Sequence, residues 1–396
     1  MGEERPRLLY VVNNAAFFLS HRLPIAVAAR KAGFDVHVAT PPGEAARRIA
    51  EAGFPFHPIR LRRGGKSPVG ALVALLSLWR LYRRLHPDVV HHVTIKPVLL
   101  GGIAARLACV PAVVHAVSGL GYAFLAGGAL RTAARALYRF AFGHGNLRVI
   151  FQNPDDREEL DMLPKEKSVL IRGAGVDLDE FRPSPEPSGP PVVLLPARML
   201  KDKGVGEFVE AARALRGTAR FVLCGAPDPA NPNTVTRETL EVWQREGAVE
   251  WWGHKDDMPN VLRQCHVVCL PSYYKEGLPK ALLEAAASGR PIVTTFVPGC
   301  REAVKEGVNG LTVPPRDVEA LVAALRALIE DPDLRASMGA KGRRIAEEEF
   351  SVEEVARRTL EVYRELSSSS DASTIRSAPK RSTRERTSPA GARSAR

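Results

Sequence analysis

Two short segments in the second half of the chain carry charged residues at spacings that suit phosphate and hydroxyl chemistry. Arg198 and Lys203 stand five apart in RMLKDKG, directly after the apolar run VVLLP and before a helical pattern. Two cations beside the unpaired N–H groups of a helix start make a site for a diphosphate. The bland alternative is a surface loop with two ordinary cations. Glu276 and Glu284 bracket seven residues in EGLPKALLE. SYYKEG reads as a loop after VVCLP, and the helix is predicted to begin near Pro279, a favourable first-turn position. Glu276 then lies just before the helix and Glu284 about one turn inside it. Both carboxylates can face a ligand lying over the helix start. A carboxylate accepts a pair of hydrogen bonds from vicinal hydroxyls such as a ribose or hexose offers. The N–H groups of Gly277 and Leu278 remain as donors for hydroxyls or phosphate. The alternative here is a helix with two incidental acids.

Such loops must be held by regular elements, and both halves of the chain supply strands alternating with helices. In the first half the strands are predicted at Leu8–Asn13, Asp35–Ala39, Asp88–His92, Ala112–Ala116 and Arg148–Gln152. One helix is expected from Ser20 to Lys31, others over Glu44–Ala52 and Val69–Leu85. The second half repeats the pattern. Strands are expected at Val192–Pro196, Arg220–Cys224, Val249–Trp252, Val267–Leu270 and Pro291–Thr295. The helices between them are Val205–Leu215, Asn233–Glu246, Met258–Gln264 and Lys280–Ala287. Strands separated by helices predict parallel, doubly wound sheets. RPSPEPSGPP at 182–191 holds five prolines in ten residues and reads as a stiff linker. The division is therefore residues 1–183, residues 184–366 and a Ser/Arg-rich tail, 367–396, expected to be disordered. Two such sheets leave a cleft, with ligands at the carboxyl ends of the strands.

Composition narrows the class. The 396 residues are 45% hydrophobic and 25% charged, which excludes wholesale disorder and suits two domains. The longest charge-free apolar run near the start, Val69 to Trp79, is eleven residues, short of the roughly 20 a bilayer span needs. The first 20 residues include Glu3, Glu4, Asn13 and Asn14 and lack the shape of a signal peptide. The cysteines (Cys109, Cys224, Cys265, Cys269, Cys300) form no CxxC and are expected to be buried thiols. The net charge of +12 divides as +10 over 1–183, −3 over 184–366 and +5 over the tail. A basic first half suits an anionic membrane surface or a polyanionic partner.

These segments together resemble the family 4 retaining glycosyltransferases of GT-B fold, in particular bacterial enzymes that extend polyprenyl-diphosphate-linked glycans. The likeness rests on RMLKDKG at 198–204, PSYYKEGLPKALLEAAASGRPIVTT at 271–295 and PGCREAVKEGVNGLTVPPRD at 298–317. It extends to GAGVDLDEFRP at 173–183, SHRLPIA at 20–26 and VSGLG at 117–121. It implies an α/β GT-B architecture, two Rossmann-like domains facing across a cleft, with the acceptor in the first and a nucleotide-sugar donor in the second. It implies that Arg198 and Lys203 hold the donor diphosphate and that Glu284 binds the ribose. Glu276 would meet the donor sugar, with Gly277, Leu278 and Pro279 framing it through the main chain. His254 and Lys255 would lie at the base, and Gly225 would permit close approach. Two cations and a helix start neutralise a leaving nucleoside diphosphate without a metal, so no metal or other cofactor is expected. The DxD at Asp177-Leu178-Asp179 sits beside the linker and reads as structural. With no strong general base in view, the leaving phosphate can take the acceptor's proton. A covalent intermediate on Glu276 is the alternative.

The first half departs from the family pattern. Asn13-Asn14 stands where a Gly-Gly pair is common, and Ser118 where a histidine is common, with His115 placed three residues earlier inside a strand. Asn13, Asn14, His21, Lys96 and Ser118 are the acceptor-side candidates, each with a plain structural alternative. Arg60, Arg62, Arg63 and Lys66 before VGALVALLSLW, and Arg80, Arg83 and Arg84 after it, make the pattern of an interfacial helix. The function expected is transfer of a hexose or N-acetylhexosamine from a nucleotide sugar, a UDP-sugar in first place, to a lipid-linked saccharide. The setting expected is the cytoplasmic face of the inner membrane, as a peripheral protein. The rivals are a nucleotide-sugar epimerase of the same fold, a transferase with a soluble acceptor, and a binding protein without activity. No nucleic-acid-binding module is present.

Overall fold

In the computed structural model, which describes residues 5–61, 67–119, 128–229, 231–274 and 276–377, the apolar runs assemble into two wholly parallel sheets. The first orders its seven strands β3-β2-β1-β4-β5-β6-β7. These are β1 (Arg7–Val12), β2 (Asp35–Thr40), β3 (Phe56–Pro58), β4 (Val89–Val93), β5 (Ala112–Val117), β6 (Leu147–Phe151) and β7 (Ser168–Leu170). The second orders six strands β10-β9-β8-β11-β12-β13. They are β8 (Val192–Pro196), β9 (Arg220–Cys224), β10 (Glu250–Gly253), β11 (Val267–Leu270), β12 (Ile292–Thr295) and β13 (Gly310–Val313). Helices cover both faces, so central strands such as VVLLP and VVCL are buried at every residue, the continuous apolar pattern of a parallel sheet. The strand order reverses between β1 and β4 and again between β8 and β11. Ligands of such sheets sit outside the carboxyl ends at that reversal. The loops after β8 and β11 are the ones that carry Arg198, Lys203 and Glu276. This is the GT-B arrangement.

Several elements differ from the sequence reading. The single helix expected over Ser20–Lys31 is two, Ala15–His21 and Leu23–Lys31, broken at the buried Arg22. Asn14 caps the first by accepting from the Phe17 N–H, and Pro24 opens the second. The helix expected from Asn233 starts at Arg237, where Thr236 accepts from the Thr239 N–H. Strands β3, β7 and β13 are edge strands of three or four residues, too short for an alternation to register. Cys109 is exposed, on a left-handed turn (φ 55°) after the helix Gly102–Leu107. The other four thiols are buried. Burial pushes Cys224 up to about 11 and both Cys265 and Cys300 up to about 12.

The proline-rich run is not a free tether. Arg335 makes a two-pronged pair with Glu186 at 2.8 Å, and Arg290 donates to Ser184 Oγ at 2.8 Å, so 184–186 are pinned to the second half. The chain passes between halves earlier, near Ile171–Val176, where Ile171 N–H bonds Phe151 O in the first half and Val176 N–H bonds Phe350 O in the second. It returns at Ser351. The helix Val352–Ser377 then packs on the first sheet, its Tyr363 hydroxyl 2.7 Å from Tyr10 and 2.6 Å from His91. That helix continues through the serine run to Ser377, with Ser367 and Ser368 hydroxyls bonding carbonyls of the preceding turn, so helix replaces the disorder expected from residue 367. Arg62, Arg63, Lys66, Leu120, Gly121, Lys275 and residues 378–396 lie outside the described residues.

Candidate functional site

The loop after β8 places Arg198 with its guanidinium half exposed and bonded to Asp228 at 2.7 Å. A 3₁₀ turn, Lys201–Lys203, follows, and Gly204 closes it at φ 74°. A Cβ on Gly204 would stand 2.1 Å from the Pro271 carbonyl oxygen, so glycine allows this loop to lie directly against the loop after β11. That contact brings Lys203 onto Glu276. Their side chains form an ion pair, each only about an eighth exposed. The Ser272 hydroxyl lies 3.0 Å from the same carboxylate oxygen of Glu276 and 3.1 Å from Asp202 O. The two cations read as phosphate ligands thus each hold a carboxylate in this structure. Sequence reasoning named Arg198, Lys203 and Glu276 but missed Asp228, which pairs with Arg198, and Ser272, which bonds Glu276, because neither stands at a motif spacing.

Glu284 lies in the helix Lys280–Ala287, is 7% exposed and pairs with Lys280 at 3.0 Å. Burial pushes its carboxyl above the usual range; Lys280 opposes the rise and Glu180 adds to it. Arg198, Gly225, Asp228, His254, Lys255 and Glu284 line one cavity of about 540 Å³ at the carboxyl ends of β8 and β9. Gly225 ends β9 against β8, where a Cβ would meet Ala197 O at 1.8 Å. His254 is exposed, 3.4 Å from Asp256. A cavity with a cation, a buried carboxylate and a glycine-lined wall can hold a polyhydroxylated anion such as a nucleotide.

Pro279 stands at the cap of the helix Lys280–Ala287. The N–H of Leu278, expected as a donor for ligand, is taken: it donates to Gln152 Oε1 at 3.0 Å, across the cleft from the end of β6. Asn153, next in sequence, donates to the carbonyls of Glu276 and Gly277, each at 3.2 Å. Ser118 also reaches this seam; its carbonyl carbon lies 3.0 Å from where a Gly277 Cβ would be. Sequence reasoning named Ser118 and passed over Gln152 and Asn153.

The other first-half candidates separate. His21 stacks on Phe17 with centroids 4.0 Å apart and bonds the Ser20 hydroxyl at 2.7 Å. Burial, with smaller contributions from Arg22 and Lys280, pushes it down to about 3, so the ring is neutral. Asn14 spends its side-chain oxygen on its helix cap, and Asn13 is partly buried beside it. Lys96 is not in this cluster. It lines a separate apolar pocket of about 220 Å³ with Leu61, Ala74, Leu99, Leu100 and Ile103. Burial lowers its ammonium. His115 lies inside β5, fully buried, 3.1 Å from His92. Asp177 accepts from the N–H groups of Asp179 and Glu180 at 2.9 and 3.0 Å, a local turn. Among the described residues no three His, Cys, Asp or Glu side chains group as a metal site.

Residues 7–153 match the family described as Glycosyl transferase 4-like, and residues 177–345 match Glycosyl transferases group 1. Over 375 residues the chain is 29% identical to N,N'-diacetylbacillosaminyl-diphospho-undecaprenol alpha-1,3-N-acetylgalactosaminyltransferase of Campylobacter jejuni, covering 87% of this chain and 97% of that one. It is also 29% identical, over 65% of its own length and 70% of the relative's, to an Escherichia coli UDP-Gal:alpha-D-GlcNAc-diphosphoundecaprenol alpha-1,3-galactosyltransferase. Among solved structures, Anabaena HepE in complex with UDP superposes with a TM-score of 0.75 at 17% identity, covering 91% of this chain and 100% of that one. Sucrose-phosphate synthase from Thermosynechococcus elongatus does so at 0.76 and 18%, covering 92% and 100%. Both are likenesses of fold.

Proposed function

The chain belongs to the glycosyl transferases, group 1 over its second half and 4-like over its first, and on that premise we propose that it moves a hexose or N-acetylhexosamine from a UDP-sugar to a hydroxyl of a polyprenyl-diphosphate-linked saccharide. The observation that carries the donor side is the convergence of Arg198, Gly225, His254, Lys255 and Glu284 on one cavity. The acceptor side draws on the substrates in the names of the two relatives. The rival epimerase gains no support from these matches.

In this reading the diphosphate lies between Arg198 and Lys203, Glu284 holds the ribose, and His254 and Lys255 flank the base. Glu276 holds the sugar, and the stereochemistry at its reacting carbon is retained. As that carbon's bond to the diphosphate breaks, charge grows on the leaving oxygens, where the two cations stabilise it without a metal. The acceptor hydroxyl attacks the same face, and its proton passes to the leaving phosphate. The neutral His21 and the wall at Ser118 bound the acceptor side.

The acceptor lipid implies a surface for the first half. The helix Pro68–Leu85 exposes Val69 (71%), Leu72 (55%), Val73 and Leu76, an i, i+3, i+4, i+7 stripe. Arg60, Arg80 and Arg84 line a pocket along the same helix with Val73 and Ser77. An apolar stripe beside arginines suits peripheral docking on anionic lipid. No helix among the described residues is long and apolar enough to cross a membrane.

A thermal-shift panel of UDP, GDP and their sugars, with and without EDTA, tests the donor. A ligand at 100-fold its Kd stabilises the fold by about 2.7 kcal/mol. A shift with UDP compounds alone, insensitive to EDTA, is expected; no shift with any nucleotide would overturn the assignment of the cavity. Co-sedimentation with anionic vesicles at low salt tests the docking face. Arg80→Glu with Arg84→Glu is expected to release the protein, and unchanged binding would remove that face from the reading.

A further inference from the structure

We propose that Gln152 and Asn153 are positioning residues that set the donor loop from across the cleft, an inference that rests on the transferase reading of Glu276. Asn153 is fully buried and every polar atom of its side chain is engaged. Its Oδ1 accepts from Asp156 N–H at 2.8 Å, capping the helix Pro154–Glu159. One Nδ2 hydrogen goes to Asp156 Oδ2 at 3.0 Å. The other is shared by the carbonyls of Glu276 and Gly277. Gln152, 5% exposed, accepts the N–H of Leu278. Three consecutive residues of the loop are therefore bonded through their backbone to two consecutive side chains of the other half.

The fit depends on glycine at the contact. A Cβ at Gly277 would stand 2.1 Å from Gln152 Oε1. Behind the loop Gly299, at φ 90°, would put a Cβ 2.5 Å from both the Glu276 and Gly277 carbonyl oxygens. The loop is thus held on both sides, and Arg301 ties the same seam to Asp155 at 2.6 Å. Lys203 and Ser272 orient the Glu276 carboxylate within its own half, whereas Gln152 and Asn153 fix where its backbone stands relative to the acceptor half. A reacting geometry displaced by about 1 Å loses up to about 100-fold in rate.

The nucleotide cavity at Arg198, Gly225 and Glu284 is not lined by these two residues, so the clamp and nucleotide binding are separable. The test uses the full chain with Asn153→Ser, whose hydroxyl keeps the cap but is too short to cross, and Gln152→Met, which keeps the volume and loses the acceptor. Three readings are taken: amide exchange at 276–278, affinity for UDP, and kcat against KM for transfer. In both variants exchange at these amides is expected to rise by about tenfold or more. The Kd for UDP should stay within about twofold and kcat fall by about 10- to 100-fold. Gln152→Glu, which restores an accepting oxygen, should recover protection of the Leu278 amide. Wild-type kcat in both variants would overturn the proposal. So would a loss of kcat matched by equal losses of UDP affinity and thermal stability, which is what a merely structural role predicts. If the wild-type chain transfers no sugar and the variants still lose protection, the clamp stands and the proposed function falls.

Discussion

The two halves share a strand order and fill it differently. The strands β8, β9 and β11 at the middle of the second sheet bury only apolar side chains and two thiols, Cys224 and Cys269, and its chemistry-bearing groups stand on loops beyond the strand ends. The first sheet buries His91, His92 and His115 within β4 and β5, each fully inaccessible, tied to Tyr363, Tyr82 and one another. Six histidines of the first half (His21, His57, His91, His92, His115, His144) are held below their ordinary range, chiefly by burial. In the second half His266 is the one held down among the described residues. The lesson is that polar groups inside a sheet make a pH-dependent fold, whereas polar groups on loops make a site.

The largest effect expected from that contrast is acid sensitivity confined to one half. A buried imidazole refuses a proton that the unfolded chain accepts below about pH 6.5. The neutral form is the one stabilised, so stability present above that pH is lost as pH falls toward the folded value, about 3 for His115. His91, His92 and His115 all act in this direction, so the first half should lose stability as the pH falls below about 6.5. Amide exchange in β4 and β5 should therefore rise steeply between pH 6 and 5. Three of the four tryptophans, Trp243, Trp251 and Trp252, lie in the second half, and their emission should hold over the same range. If both signals fail together, the two halves do not differ in acid sensitivity.

The next effect contrasts one lysine from each half. Lys203→Ala removes a cation from the leaving phosphate and leaves Glu276 without its ion partner. Transfer should fall by about 100- to 1,000-fold, or about 2.7–4 kcal/mol. Lys96→Ala removes a lysine that lines an apolar pocket of the first half apart from the donor cavity, and should cost transfer about fivefold or less. Equal losses in steady-state assays would make the first half as chemically active as the second.

The same contrast explains what was legible in the sequence. Val192–Pro196, Arg220–Cys224, Val267–Leu270 and the helix Lys280–Ala287 fall where apolar runs and Pro279 put them, because a central parallel strand has no polar face to confuse the pattern. Arg198, Glu276 and Glu284 were equally readable as candidates, since they sit at fixed offsets from those elements. Asp228, Gln152 and Asn153 were not, because their roles arise only when distant loops or the two halves meet, 30 to 126 residues apart in the chain. The break at Arg22 escaped because Asn14 was weighed as a ligand and not as a cap. The path between halves was misplaced because five prolines mark stiffness, and stiffness does not say which half a segment packs against.

The smallest effect concerns Asp177 and Asp179, a DxD of the second half beside the linker. Asp177 is engaged through Oδ1 with two backbone N–H groups, and Asp179 bonds Arg182 at 2.8 Å. An asparagine oxygen can accept the same two bonds, so Asp177→Asn should change stability by about 0.5 kcal/mol or less. Asp177→Ala gives up the turn and should cost about 1 kcal/mol. Neither substitution should alter transfer or its response to EDTA, because the turn supplies no group to the cavity that Arg198 and Glu284 line. A variant that loses transfer tenfold while keeping its thermal stability, and regains it with added divalent cation, would put a metal at the leaving phosphate. Charge neutralisation would then no longer rest on the loop cations alone, and the division between a histidine-filled first half and a cation-loop second half would need a third, metal-bearing region.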